Sequence, residues 1–205
     1  VTTWRNPGGR RALTVLGATI GLAVISNITA TIFWHLTGGI GLLDLDGGAN
    51  LLHPAAARPL PAPGTAERIQ AILAAYTPHT RLIHAALLCS LDLLFPPLIG
   101  LTGWTTIAWA SRSWAGRWHT AARLLGVALA LGYLCTDWAE NATELLLLTG
   151  HRGNAVRTLP HLTSGKLNVV AVLAAVAVAT VAAQALIRAR ARRTQYHPTT
   201  TPRRR

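Results

Sequence analysis

Acidic residues are scarce in this chain. Seven aspartates and glutamates stand against nineteen lysines and arginines in 205 residues, and charged residues of both signs make up only 13% of the sequence. Soluble domains carry about a quarter charged residues, so the composition excludes an ordinary water-soluble fold. Cysteine is nearly absent. Cys89 and Cys135 each lie in an apolar run and no CxxC occurs, which excludes a disulfide framework or a cysteine-rich zinc site. Methionine is missing and lysine occurs once, at position 166, while alanine and arginine are abundant. That usage is expected of a GC-rich bacterial genome. Walker, dinucleotide, H-E-x-x-H and G-x-S-x-G motifs are also missing, which removes the common nucleotide, zinc-peptidase and serine-hydrolase readings.

The net charge of +12 invites a nucleic-acid reading. Its distribution argues against one, because the arginines sit at the chain ends and in short loops, with no zinc-finger spacing or RNP-type aromatic motif beside them. No nucleic-acid partner is expected. Four apolar runs are long enough to cross a bilayer, at about 12–36, 82–110, 124–149 and 167–187. The first is too long for a cleaved signal peptide and has no A-x-A site after it, so a retained anchor is expected. The predicted fold is all-α: a four-helix transmembrane bundle forming a single domain over 1–187, followed by a basic, disordered tail over 188–205.

Arginine placement orients this arrangement. Arg5, Arg10, Arg11, Arg112, Arg117, Arg123 and the seven arginines from Arg188 to Arg205 fall on one side, thirteen in all, against six basic residues on the other. The positive-inside rule puts the thirteen, and both termini, in the cytoplasm of a bacterial cell. Trp109, Trp114 and Trp118, with Trp34 at the opposite side, suit interfacial anchors. The longest loop is then outside. Its proline-rich stretch, HPAAARPLPAPG (53–64), is expected to be irregular and ends at Thr65, a helix-capping residue. Ile69, Ile72, Leu73 and Tyr76 follow on one helical face, which predicts a short amphipathic helix. It either lies on the membrane surface or packs as a lid on the bundle. Membrane lipids are the expected partners, and the basic tail suits anionic headgroups.

Three of the seven acids fall where charge is most costly. The third run contains YLCTDWAENATELLLLTG (133–150). At 100° per residue Tyr133, Asp137, Glu140, Asn141 and Glu144 share an arc of about 100°, one polar stripe, and Cys135 points away from it. Asp137 lies fourteen residues beyond Arg123, about 21 Å along a helix, near the bilayer centre or somewhat past it. An acid there costs roughly 2.5–3.5 kcal/mol to insert, so it is expected to face the bundle interior and to have a partner. Asp92 in the second run, just before Pro96 and Pro97, adds a fourth carboxylate and two carbonyls that the prolines leave unbonded. Lys166 opens the fourth run and is the natural cation for Glu144 or Glu140, with Asn168 near it. Ser26, Asn27, Thr29 and His35 add polar groups in the first run. Asp92, Asp137 and Glu140 are the candidate catalytic groups; Asn141, Glu144, Lys166, Tyr133 and Trp138 are the supporting ones. Four carboxylates cannot all be charged and all be paired against one lysine, so at least one holds its proton. His35, His79, His84 and His161 could gather near the outer surface, but they lack the paired spacing of haem or metal ligands, and no metal or cofactor is expected.

The motifs Asp92-Leu-Leu-Phe95-Pro96 and Asp137-Trp-Ala-Glu140-Asn141, with Lys166 opening the last run, resemble those of a group of uncharacterised small bacterial four-span integral membrane proteins. The resemblance implies the topology and this choice of residues, and carries no activity with it. Three functions fit the pattern. The first is a cofactor-independent acid/base enzyme, of isomerase or cyclase type, or a binder, acting on an isoprenoid or other lipophilic substrate. The second is proton or cation handling, which in a four-span protomer favours a homo-oligomer. The third is a structural or accessory protein whose polar groups only lock helix packing. The stretch LLGVALALGYL (124–134) has no strongly ionisable group besides Tyr133, which favours a blind, outward-facing pocket over a through-route and ranks the first function highest.

Overall fold

A computed structural model describes residues 7–36, 61–62, 65–151 and 153–196. Among these the secondary structure is entirely helical: α1 Pro7–Leu36, α2 Ala66–Ala75, α3 Pro78–Leu88, α4 Leu91–Ala110, α5 Gly116–Leu148 and α6 Ala155–Tyr196, with a 3₁₀ turn, Ser111–Ser113, between α4 and α5. Four stretches are long and apolar enough to cross a membrane: 9–29, 78–113, 116–148 and 155–191. Most of the proline-rich stretch 53–64, the glycines and aspartates before it, and residues 197–205 lie outside the described residues.

Exposure in this chain is inverted relative to a soluble protein. Leu82, Leu94, Leu124, Val178 and Leu186 are each more than half exposed, whereas Asp137, Glu140 and Glu144 are buried. In water, charged residues are almost never fully buried unless paired, and large exposed apolar faces are avoided. The arrangement suits a hydrocarbon solvent, which wets leucine and excludes carboxylate.

The first and third helices begin ahead of the expected spans, at Pro7 rather than 12 and at Gly116 rather than 124, and three further departures have local causes. The second span is two helices, broken at Cys89–Ser90, and the break precedes the prolines. Ser90 leaves helical geometry at φ −121°, ψ −84°, its hydroxyl bonds the Ala86 carbonyl at 2.7 Å, and its N–H closes a tighter bond to the Leu87 carbonyl at 3.1 Å. Pro96 and Pro97 stand inside α4 without ending it. The fourth span begins twelve residues before 167, at Ala155, where the Asn154 carbonyl accepts from the N–H groups of Arg157 and Thr158. It also runs on to Tyr196, so the stretch 188–196, expected to be disordered, is helical. Alanine and arginine are strong helix formers, and no glycine or proline interrupts that stretch.

Helix contacts set the order of packing: α1 on α4, α4 on α5 and α6, and α5 on α6. Thr19 of α1 reaches α4 through its hydroxyl, 2.6 Å from the Thr102 hydroxyl and 3.2 Å from the Leu98 carbonyl. Gly103 of α4 lets α6 approach so closely that a Cβ there would stand 2.7 Å from Cγ of Leu173. Small residues at such crossings allow the dispersion contact that holds helices together in lipid. The turn from α5 to α6 is tight. Gly150 takes φ +95°, its N–H bonds the Leu147 carbonyl, and the His151 N–H bonds the Leu146 carbonyl. This paired closure of a helix end needs the left-handed conformation that glycine adopts without strain.

Both ends of the helix group are pinned by polar contacts. At the end bearing the 3₁₀ turn, the Arg112 guanidinium lies 5.8 Å from the Trp109 ring centre and that of Arg117 lies 5.4 Å from Trp118. Buried Gln184 of α6 bonds Ser113, its amide set to donate to the Ala110 carbonyl and to accept from Arg188. At the other end, Thr65 caps α2 by accepting from the Arg68 N–H at 3.3 Å, and Thr77 caps α3 by accepting from the Thr80 N–H at 3.1 Å. Ile69, Ile72, Leu73 and Tyr76 turn inward and pack with Leu88, Leu147, Leu148, Val156 and Leu159. Arg81 donates to the Leu73 carbonyl at 2.8 Å and ties the end of α2 to α3.

Candidate functional site: a buried carboxylate, lysine and histidine cluster

The site is built on one stripe of α5. Tyr133, Asp137, Glu140, Asn141 and Glu144 recur at three- and four-residue intervals, the spacing of one helix face, and all five are buried. Asp137 is 2% exposed and Glu140 1%. Neighbouring positions of the same helix stand outside: Cys135 is exposed, and so is Trp138, at 44%. Trp138 is therefore not gathered with the residues it was expected to support.

α6 supplies the cation. The Lys166 ammonium contacts a Glu140 oxygen and lies 3.4 Å from Oδ1 of Asp137. One turn before it, buried Thr163 donates its hydroxyl to the other oxygen of Glu140. Glu140 thus meets α6 at both oxygens, at one through a hydrogen bond and at the other through an ion pair. Oδ2 of Asp137 accepts from Nδ2 of Asn141 at 3.3 Å, within α5. Asn168 and His161 point outward and take no place here.

α4 brings Asp92, which sits in its first turn, half-buried, with Lys166, Asn141 and His84 as its electrostatic neighbours. Tyr133 lies among Asp137, Lys166, Asp92 and Glu140. α3 contributes a residue that the sequence reading grouped with His35, His79 and His161 and left without a role. His84 is buried, and its Nε2 lies 3.3 Å from Oε2 of Glu144. Lys166 was expected to serve Glu144 or Glu140; it serves Glu140 and Asp137, and His84 takes Glu144. The edge of the Tyr76 ring packs on His84, with centroids 5.8 Å apart and planes at 61°. Burial, with the Glu144 charge adding to it, pushes the Tyr76 phenol above its ordinary range.

No family model, curated protein or solved structure matches the chain. The cluster is therefore interpreted from its chemistry. Two carboxylates meet one ammonium, a third meets an imidazole, and a fourth, Asp92, comes to the same group from α4. Such a constellation can hold protons in more than one place and move them over short distances, the working requirement of acid/base chemistry. Among the described residues no group of three or more histidine, cysteine, aspartate or glutamate side chains has the geometry of a metal site, and His35, His79 and His161 are exposed.

His84 and Thr163 were missed because each looked ordinary alone. Helical spacing contained a signal for both. His84 lies one turn before Leu88, and Thr163 lies between Leu159 and Lys166 on a single face of α6.

Proposed function

We infer that the chain is a multi-pass membrane protein whose carboxylate–lysine cluster is a cofactor-independent acid/base site for a lipophilic substrate. One observation carries this reading: Lys166 bridges Asp137 and Glu140 while Thr163 takes the second oxygen of Glu140. A packing cluster needs each polar group satisfied once. Here one carboxylate is held by a hydroxyl and an ammonium from α6 and its neighbour leans on the same ammonium, which suits a division of roles. Glu140, fixed beside Lys166, is the base; Asp137 or Asp92 is the acid. An isomerisation then moves a proton from the acid to one carbon of an alkene and another from a second carbon to Glu140, and passage of that proton from Glu140 back to the acid restores the site. No redox partner is required.

The site is reached from the end that carries α2, because the stretch from Leu124 to Ala130 offers no ionisable group on the other side. With the arginine-rich ends in the cytoplasm, that entrance is on the outer face, and α2 covers it. An isoprenoid or other lipid can approach from the bilayer between the apolar outer faces of the helices.

The test uses solvent deuterium. Purified protein is incubated with an extract of membrane lipids in D2O, and lipids are followed by mass spectrometry. The expected result is deuterium in a particular lipid class with the native chain and none with the Asp137→Asn, Glu140→Gln double variant. Equal labelling with both proteins removes the acid/base reading and leaves the cluster as a packing device.

A further inference from the structure

We propose that Thr163 is a positioning residue that stays hydrogen-bonded to Glu140 in both protonation states of that carboxyl group, by turning its hydroxyl between Glu140 and the Leu159 carbonyl. The proposal rests on the reading of Glu140 as the base of an acid/base site.

One hydroxyl here stands within hydrogen-bond reach of two acceptors. Oγ1 of Thr163 donates to Oε1 of Glu140, on α5, and lies 3.2 Å from the Leu159 carbonyl of its own helix. A threonine hydroxyl has one proton and two lone pairs, so it serves one acceptor well at a time and can itself accept. Thr163 is 5% exposed, Glu140 1% and Leu159 0%. Burial of this degree makes an unmet donor or acceptor costly.

The other oxygen of Glu140 decides where a proton can rest. Oε2 meets the Lys166 ammonium. An ammonium carries donors and no acceptor, so an acid O–H has nothing to bond on that side. A proton taken up by Glu140 therefore rests on Oε1, and the Thr163 oxygen beside it is the acceptor. Thr163 can accept there once its own proton points away, and the Leu159 carbonyl receives that proton. This carbonyl takes the Thr163 N–H within α6 and has a second lone pair for the hydroxyl. The titratable groups around Glu140 are Lys166 from α6 and Asp137 and Tyr133 from its own helix, with Asp92 of α4 near Asp137.

The cycle balances with no net change at Thr163. While Glu140 is ionised, the hydroxyl proton lies toward Oε1. When a proton leaves a substrate carbon for Oε1, the Glu140 O–H turns about its C–O bond to donate to Oγ1, and the threonine proton swings to Leu159. When Glu140 gives its proton up to the acid, the hydroxyl swings back. No bond of threonine is made or broken, and no heavy atom has to move. A valine would fill the same space and serve neither state. A lysine would serve the ionised state alone.

The test reads the Leu159 carbonyl, which a merely structural role of Thr163 would not move. The protein is isotope-labelled at its leucine carbonyl carbons, placed in lipid nanodiscs and followed by infrared difference spectroscopy as pH is lowered. The carboxyl band missing from Glu140→Gln reports protonation of Glu140, and the labelled amide band missing from Leu159→Ile reports the Leu159 carbonyl. As the first appears, the second is expected to shift to lower wavenumber, because that carbonyl gains a hydrogen bond. The coupled shift is expected to persist in Thr163→Ser and to vanish in Thr163→Val and in Glu140→Gln. Labelled leucine bands that stay still while Glu140 takes up its proton overturn the switch in the native protein, whatever the variants do. A shift that survives in Thr163→Val overturns it as well, and so does a Glu140 that stays ionised at every pH at which the protein is folded. No substrate enters these measurements. A failed lipid assay with the coupled shift present removes the acid/base reading alone, and deuterium labelling of lipid without the coupled shift removes the switch alone.

Discussion

Gly103→Ala tests whether the close crossing of α4 and α6 holds the site in register. An added Cβ would stand 2.7 Å from Cγ of Leu173 and 2.8 Å from each of its two methyl carbons. Carbon pairs rest at about 3.5–4.0 Å, so all three contacts are short by roughly 0.7 Å or more. Because Cγ itself is too close, turning the two methyls gives no relief. Leu173 must leave its rotamer or the helices must part, and overpacking of this kind costs about 1–3 kcal/mol. Leu173→Ala empties a position that is 2% exposed. Leucine-to-alanine changes in cores cost about 2–5 kcal/mol, and in lipid, where the transfer contribution fades, the low end is expected. The two changes offset each other in space. The double variant should therefore lose less than the sum, with a coupling of about 1–2 kcal/mol. Equilibrium unfolding in mixed micelles of a mild detergent and dodecyl sulfate measures all three variants. Lys166 lies two turns before Leu173, so parting the helices also draws the ammonium from Asp137, and Gly103→Ala should impair function in step with stability. A neutral Gly103→Ala, or additivity within about 0.5 kcal/mol, would refute the reasoning.

Four further outcomes are expected. Lys166→Met removes the cation from two buried carboxylates and should cost about 3–5 kcal/mol in the same unfolding assay, with part regained in the Lys166→Met, Glu140→Gln pair; no recovery would mean the ion pair is not what the lysine supplies. Tyr76 has a folded-state value raised above its ordinary one, so the docking of α2 should be at full strength below about pH 10 and weaken as pH rises above it. Ultraviolet titration should accordingly show no Tyr76 phenolate near that pH in the folded protein, read as the difference from Tyr76→Phe. Gly150→Ala forces a side chain into φ +95° and should cost about 1–2 kcal/mol, measured by unfolding. A cysteine placed at position 60 should react with an impermeant maleimide from outside the cell, and reaction from the cytoplasm alone would invert the orientation.

The long helices were legible because hydropathy over twenty residues is a strong signal, and the α5 stripe because 100° periodicity separates Asp137, Glu140 and Glu144 from Cys135. Trp138 shows the limit of reading a motif as a string: it sits beside Asp137 in sequence and a quarter-turn away in space. The break at Cys89–Ser90 carried no glycine or proline to announce it, and the prolines that did stand out, Pro96 and Pro97, lie within a continuous helix. The early start of α6 was hidden because residues 155–166 are polar enough to fall outside any apolar window. Pairing was the least legible. Lys166 can reach any of three acids by length alone, and only the helix crossing decides that it meets Asp137 and Glu140 while His84 meets Glu144.

The tight turn at Gly150 has a consequence for how the chain enters a bilayer. Taken alone, α5 carries three acids into the hydrocarbon at roughly 2.5–3.5 kcal/mol for a central one, and α6 brings a lysine at a similar cost. Residues 149–154 are all that separate the two helices. The translocon therefore meets the acids and their ammonium almost together, and the Lys166–Glu140 contact can close before either helix has been released to lipid. The pair is suited to leave the channel as one hairpin, with its charges already turned toward each other. Lengthening that turn would separate the two arrivals, and the first defect to appear would be in membrane integration of α5, before any effect on the finished fold.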